Sequence, residues 1–156
     1  WCFDDSRFLD EFKNYKSNNQ VYLHYYNTML EMVKDETFDF DIVCHFDLPK
    51  KFNRRPENKD LIMEKAQEVL KGIKKRDLTI EINTSGFRKE VGEQYPSYEI
   101  IQKIHDLNIP IVLSSDAHHP KEVGYRFEFM IEKLKEIGFD KLAHFKDRKR
   151  TFFQIK

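Results

Sequence analysis

The sequence LTIEIN at residues 78–83 decides the fold class of this chain. Its β-branched residues favour an extended backbone, so the stretch predicts a buried strand that ends in the polar residue Asn83. Apolar residues recur at helical spacing over residues 59–76 before it and over residues 97–107 after it. A strand between two helices is typical of an α/β fold with a mainly parallel sheet.

The same alternation continues on both sides of this stretch. Apolar runs predict further strands at residues 40–45, 109–114, 141–145 and 151–155. Helical spacing predicts further helices at residues 5–16, 20–35 and 121–137. Gly138 is expected to end the last helix, and Ser97 is expected to cap the helix at 97–107. We therefore expect one α/β domain over residues 1–156.

Composition narrows the class of protein. The chain carries 27 basic and 27 acidic side chains, so its formal net charge is zero. Proteins that bind nucleic acid through its phosphates normally carry a basic excess, so we expect no nucleic-acid partner. We expect neither a membrane span, which needs roughly 20 apolar residues, nor a signal peptide. The distant cysteines Cys2 and Cys44 imply no disulfide and indicate a cytoplasmic protein.

Polar side chains follow three consecutive predicted strands. They are His45 after the first, Glu81 and Asn83 in the second, and Asp116 and His118 after the third. In parallel α/β folds functional groups gather at the carboxyl ends of strands, so these residues should share one rim. Alone, His45 could be a core histidine and Asp116 could cap a helix. Together, Asp116 and His118 can offer an oxygen and a nitrogen ligand to a metal.

Two basic clusters are interpreted as exposed surface rather than as functional sites. The stretches KKFNRR at residues 50–55 and KDRKR at residues 146–150 are predicted to be solvated faces. Lys50 could nevertheless help to attract an anionic substrate. A small phosphorylated ligand needs only such local charge.

Four short stretches carry a resemblance to a known family. They are FDIVCHFDLPKKF at 40–52, IEINTSGFRK at 80–89, YPS at 95–97 and LSSDAH at 113–118. In this order they resemble the histidinol-phosphate phosphatases of the polymerase-and-histidinol-phosphatase (PHP) family, over nearly the whole chain. The resemblance implies a distorted (β/α)7 barrel with a multinuclear site for Zn, Mn or Fe. It also implies hydrolysis of histidinol phosphate in histidine biosynthesis.

The resemblance assigns roles to individual residues. His45, Asp116 and His118 match metal ligands, and Asp116 and His118 also stand as catalytic residues. Arg88 matches an arginine suited to phosphate, and we expect its loss to affect turnover rather than folding; the alternative is an exposed loop charge. Asn83 is interpreted as a group that binds substrate or supports a ligand.

Two further acidic residues are less specific. Glu81 is interpreted as structural or as support for a ligand, and Asp47 as a residue that orients a ligand.

The sequence also departs from the family pattern. The family has an upstream His-x-His motif, a bridging Glu and a further His, and none of these is present. A complete barrel takes about 250 residues, so the chain is expected to be the C-terminal part of one, without its first strands. We then expect a missing N-terminal segment as partner and no activity of the chain alone. The alternatives are a PHP phosphoesterase with another substrate and a non-catalytic fragment that complements a partner chain.

Overall fold

The computed structural model describes residues 5–155, and for residues 8–10 it describes the backbone alone. In this part of the chain, three parallel strands form a sheet in the order β1-β2-β3. They are β1 (Ile42–Val43), β2 (Thr79–Asn83) and β3 (Ile111–Ser114). Ile80 of β2 lies opposite both Val43 and Ile111, so β2 is the central strand. The predicted parallel α/β arrangement is confirmed, and β2 coincides with the stretch that predicted it.

Helices cover the sheet and connect its strands. Within residues 5–155 the α-helices are α1 (Asn18–Lys34), α2 (Lys59–Lys75), α3 (Tyr98–Asp106) and α4 (Phe127–Ile137). Short 3-10 helices lie at Ser6–Asn14, Leu48–Lys50, Thr84–Arg88 and Pro120–Glu122. The helix starts follow from local chemistry, since the side chain of Asn58 accepts a hydrogen bond from the Leu61 N–H at the beginning of α2.

The core lies between the sheet and helices α1 to α4. Its completely buried members include Tyr26, Phe46, Leu70, Ile73, Ile80, Ile101 and Ile104. Full burial of one such aliphatic side chain is worth about 1.5–3 kcal/mol relative to exposure. The apolar periodicity that predicted the helices is therefore the pattern that packs against the strands.

A β-hairpin lies across the amino-terminal ends of the parallel strands. Its strands β4 (Lys141–Lys146) and β5 (Lys149–Gln154) pair antiparallel, so the sheet arrangement is not parallel throughout. Arg148 binds the carboxylates of Asp39 and Asp41 just before β1. Arg150 donates to the Asp77 backbone oxygen at 2.7 Å, just before β2. Residues 146–149 are exposed, as a solvated face requires. Arg148 and Arg150 in addition tie the hairpin to the residues that precede β1 and β2.

Several predicted boundaries differ from the structure for local reasons. The helix predicted at 121–137 begins only at Phe127, because Gly124 and Arg126 adopt left-handed backbone angles with φ of 72° and 60°. The predicted first strand contracts to two residues, and the first helix is a 3-10 helix. Gly138, with φ of 118°, ends α4 as predicted.

The start of α3 also differs in its cap. Ser97 occupies the capping position without a side-chain hydrogen bond; instead its N–H donates to Asp47 Oδ2 at 2.8 Å.

The structure bears on membrane insertion in one respect. None of the helices in the described residues combines the length and the apolar character that crossing a bilayer requires.

Candidate active site

A cavity of 240 Å³ lies at the carboxyl ends of the parallel strands. Its lining residues are His45, Leu48, Lys51, Ser85, Arg88, Lys89, Tyr95, Asp116, His118 and Glu122. His45, Asp116 and His118, which follow β1 and β3, therefore converge on one space as the sequence predicted. Asn83, Glu81 and Asp47 do not line it.

His45 reaches the cavity because the backbone turns sharply after β1. Its φ of 55° lies in the left-handed region, where a residue other than glycine is uncommon. Its backbone is held on both sides, since His45 N–H donates to Glu81 Oε2 at 3.1 Å and Tyr25 hydroxyl donates to the His45 carbonyl at 2.6 Å. The ring Nδ1 lies 3.3 Å from Asn83 Nδ2. Side chains of β2 thus set the position of His45.

Glu81 and Asn83 share one face of β2, as the two-residue period of a strand requires. Asn83 is fully buried, and its Nδ2 donates to Glu81 Oε2 at 3.2 Å. Its Oδ1 accepts the Ser85 N–H at 2.8 Å and so begins the following turn. The nitrogen and the oxygen of the Asn83 amide are thus both hydrogen-bonded, and neither Asn83 nor Glu81 lines the cavity. This geometry favours a role of the two residues in supporting a ligand over direct contact with substrate.

Asp116 and His118 lie on a tight turn after β3. Asp116 has φ of 46°, and its N–H donates to Ser114 Oγ at 3.2 Å. Ser85 hydroxyl donates to Asp116 Oδ2 at 3.3 Å, which joins this turn to the one after β2. The His118 ring lies at the cavity mouth with 83% of its side-chain surface exposed. Asp116 is therefore held by neighbours, and the exposed His118 ring contacts the same turn, since its Nδ1 lies 2.9 Å from the Asp116 backbone oxygen.

Arg88 forms part of the cavity wall. Its Nη2 lies 2.9 Å from the Ser115 carbonyl oxygen, 3.3 Å from that of Asp116 and 3.4 Å from Glu122 Oε2. Its Nη1 is buried and has no hydrogen-bond partner among residues 5–155. Arg88 is thus not the exposed loop charge that was the alternative to a phosphate-binding role. It holds the backbone that carries Asp116.

Two titratable groups near the cavity, Cys44 and Glu122, have pKa values that differ from their ordinary ones. Burial, followed by the charges of Glu81 and Asp116, raises the pKa of the Cys44 thiol to about 11. Cys44 therefore stays a neutral thiol at neutral pH. The His118 N–H hydrogen bond, more than the Arg88 charge, lowers the pKa of the Glu122 carboxyl. Glu122 is therefore an anion at neutral pH.

Lys50 and Asp47 form a buried ion pair that differs from the roles predicted for them. Both are 2% exposed, and Lys50 Nζ lies 2.7 Å from Asp47 Oδ2 and 3.2 Å from Glu93 Oε1. Lys50 therefore neutralises buried carboxylates rather than attracting substrate, and the prediction of a solvated cluster is wrong for this residue. Asp47 binds Lys50 and the Ser97 N–H rather than a residue of the cavity.

Glu122, which was not predicted to belong to the site, lines the cavity from the 3-10 helix after His118. A carboxylate four residues beyond the Asp-x-His turn was the available signal. Only the bend between them brings it back to the turn.

The donor types around the cavity suit a divalent cation, since imidazole nitrogen and carboxylate oxygen are ligands for Zn, Mn and Fe. The donor side chains are too far apart, however, to bind one ion together. Within residues 5–155, no three His, Cys, Asp or Glu side chains lie close enough together to hold a metal ion. The cavity therefore supplies the right chemistry at one place without a closed coordination shell.

Comparison with known proteins identifies the relatives of the chain. No family model matches it. It is 33% identical over 138 residues to a protein of Deinococcus radiodurans named probable histidinol-phosphatase, covering 88% of this chain and 50% of that one. The chain is a homologue of the histidinol-phosphatases. A protein of Schizosaccharomyces pombe with the same name is 27% identical over 77% of this chain and 39% of its own length.

A solved structure supports the same relationship. hisK of Listeria monocytogenes, described as a candidate histidinol phosphatase, superposes with a TM-score of 0.68 at 28% sequence identity. The match covers 74% of this chain and 45% of that chain. The chain thus spans about half the length of the D. radiodurans and L. monocytogenes proteins. The α/β fold with a parallel sheet is shared with the L. monocytogenes structure over the matched part.

Proposed function

We propose that this chain contributes the active-site rim of a metal-dependent phosphomonoester hydrolase that converts histidinol phosphate to histidinol and phosphate in histidine biosynthesis. The observation that carries the proposal is the convergence of His45, Asp116 and His118 on one cavity at the carboxyl ends of parallel strands. The names of the relatives supply the reaction and the substrate class.

In this proposal His45, Asp116 and His118 are ligands of a divalent cation, and Asp116 and His118 are the residues nearest the reacting phosphoryl group. A divalent cation in such a site stabilises charge on phosphoryl oxygens and lowers the pKa of a water molecule. Ser85 keeps Asp116 oriented through its hydroxyl hydrogen bond. The exposed ring of His118 contacts the Asp116 backbone oxygen through Nδ1, so it stays beside Asp116.

Positive charge on the cavity wall suits a phosphate ester. Lys51, Arg88 and Lys89 all line the cavity. The Arg88 guanidinium stabilises charge that develops on the phosphoryl group, although its engaged Nη2 and buried Nη1 place it in the wall rather than at the surface. The two lysines attract the dianionic ester. A substrate of this charge is consistent with the zero net charge of the chain, because only local charge is needed.

The proposal extends to the complete protein. We infer a distorted (β/α)7 barrel in which β1 to β3 are the later strands and an N-terminal segment supplies the earlier ones. In the described residues β1 pairs with β2 alone, so its other edge is open to a further strand. The same segment would complete the metal site, since the described donors do not close a coordination shell.

The incomplete donor set also favours a second candidate function. A chain that lacks a closed metal shell can act as a non-catalytic fragment that complements a partner chain. Another phosphomonoester as substrate is the remaining alternative within the same reaction class.

The decisive experiment is an assay of purified chain on histidinol phosphate with added Mn²⁺ or Zn²⁺. It is run on the chain alone and after mixing with the half of the D. radiodurans relative that the chain does not match. We expect no turnover alone and turnover after mixing, because the described residues leave the metal shell incomplete. His118→Ala should abolish the restored activity, and Arg88→Ala should lower it on the order of a hundredfold.

A panel of other phosphomonoesters gives the substrate control. Faster hydrolysis of another ester would replace the proposed substrate, and no activity in any mixture would favour the non-catalytic fragment. Full activity of the chain alone would show that the ligand set is misassigned.

A further inference from the structure

The turn that carries Asp116 and His118 is held from one side by a carboxylate to which no role has been given. Glu122 Oε2 accepts the His118 backbone N–H at 2.9 Å. The same oxygen lies 3.4 Å from Arg88 Nη2. Glu122 therefore connects His118, at the end of the turn, to the Arg88 guanidinium, which binds the backbone at the start of the turn.

The other contacts of Arg88 complete a closed arrangement. Its Nη2 also donates to the backbone oxygens of Ser115 and Asp116. One guanidinium nitrogen thus contacts the turn at its first two residues and Glu122 at its far side. Charge-assisted hydrogen bonds of this kind are stronger than bonds between neutral groups.

The turn needs such support because its backbone is unfavourable. Asp116 has φ of 46°, a conformation that costs a residue other than glycine free energy and persists only where the surroundings impose it. The His118 side chain is 83% exposed, so packing of the ring cannot hold the turn in place. Hydrogen bonds then restrain where His118 projects: its backbone N–H donates to Glu122, and its ring Nδ1 lies 2.9 Å from the Asp116 backbone oxygen. The ring contact holds His118 in place only if the turn that carries Asp116 is itself fixed.

We propose that Glu122 is a positioning residue that, together with Arg88, fixes the Ser115–His118 turn so that Asp116 and His118 face the cavity shared with His45. The inference rests on the proposed function in one respect, namely that Asp116 and His118, once held in place, act as metal ligands. The geometry of the turn itself does not depend on a metal. Loss of residues that orient metal ligands typically weakens metal binding by about 10–100-fold.

The test compares Glu122→Ala and Glu122→Gln with Glu128→Ala in the whole chain. Glu128 is an exposed residue of α4, so its removal changes net charge equally without touching the turn. The first measurement is amide hydrogen exchange at Asp116, whose N–H bonds Ser114 rather than Glu122. We expect exchange about 10-fold faster in Glu122→Ala, an intermediate rate in Glu122→Gln, and unchanged exchange at Ile82 in the core.

The second measurement is calorimetric titration with Zn²⁺. We expect affinity to fall about 10-fold in Glu122→Ala and to stay at the wild-type value in Glu128→Ala. Exchange that changes only at His118, the residue bonded directly, with unchanged Zn²⁺ affinity would overturn the inference.

A further variant, His118→Ala, separates the two proposals. If His118→Ala binds Zn²⁺ as well as the wild-type chain does, or if the wild-type chain binds none even when mixed with the complementing half used above, the proposed metal site fails. The Asp116 exchange rate then still decides whether Glu122 positions the turn.

Discussion

At the scale of single residues, the burial of Lys50 departs from what its basic sequence context predicts. A lysine in a basic run is normally solvated, yet Lys50 is 2% exposed and contacts Asp47 and Glu93. Its Nζ also donates to the Gln94 backbone oxygen at 2.8 Å. The residue therefore joins the loop after β1 to the loop after β2 beneath the cavity.

Removal of Lys50 should destabilise the fold strongly. Lys50→Ala leaves the buried Asp47 carboxylate without its cation, and breaking a buried pair in this way costs about 3–5 kcal/mol. Urea unfolding at neutral pH measures the loss. Lys59→Ala, which removes an exposed lysine at the start of α2, should cost under about 0.5 kcal/mol.

The same variant should show a pH dependence of defined sign. Burial already raises the pKa of Asp47, and Lys50 opposes that shift. Without Lys50 the folded pKa rises further, so the folded state binds more protons than the unfolded state above the ordinary Asp pKa. The free energy of unfolding of Lys50→Ala should therefore fall as pH rises through the folded pKa. A loss relative to wild type that is equal at about pH 4 and pH 7 would contradict this account.

At the scale of elements, the loop between β2 and α3 builds the cavity wall. Asn83 and Tyr95 exchange two backbone hydrogen bonds of 2.7 and 2.8 Å, which closes the loop on itself. Gly86 lies inside this closure, where an added Cβ would stand 2.0 Å from the Glu93 backbone oxygen. The loop can therefore present Arg88 to the Asp116 turn only with glycine at position 86.

We predict that Gly86→Ala costs about 3 kcal/mol or more, since the clash is with backbone that cannot move without opening the loop. Gly92 in the same loop provides the matched control. It has open space around it but φ of 64°, so Gly92→Ala should cost only about 1–2 kcal/mol from backbone strain. Thermal or urea unfolding of the two variants tests the order, and equal losses would show that the closure at Gly86 is not tight.

At the scale of the whole molecule, an apolar groove borders the open edge of β1. It has a volume of 430 Å³ and is lined mainly by α1, with Cys44 beside β1. The other lining residues are Tyr15, Val21, His24, Tyr25, Thr28, Met29 and Met32. An apolar groove next to an unpaired strand edge is a surface that tends to associate.

We predict that the chain alone self-associates as its concentration rises. Met32→Glu places a charge in the groove and should lower the association, whereas Val123→Glu, at a residue 74% exposed and outside the groove, should not. Sedimentation velocity over a range of concentrations measures both. A monomer at every concentration would mean that this face needs no covering partner.

The sequence by itself determined the elements and the rim. Helical periodicity placed α1 to α3, β-branched runs placed β2 and β3, and these signals are local. Because parallel strands end at one edge, the positions of His45, Asp116 and His118 in the sequence sufficed to bring them to one cavity. The relative found by comparison is named probable histidinol-phosphatase, and this is the family that the stretches around these residues resemble.

Only the tertiary structure decided which charges are buried and which hold the site. The pairing of Lys50 with Glu93, the Arg88 contacts with the Asp116 turn, and the attachment of Arg148 to Asp39 all join residues far apart in the chain. A charged residue in a sequence carries no local sign of a partner that distant. Left-handed angles at Asp116 and Arg126 are likewise imposed by surrounding contacts, because neither residue type requires them.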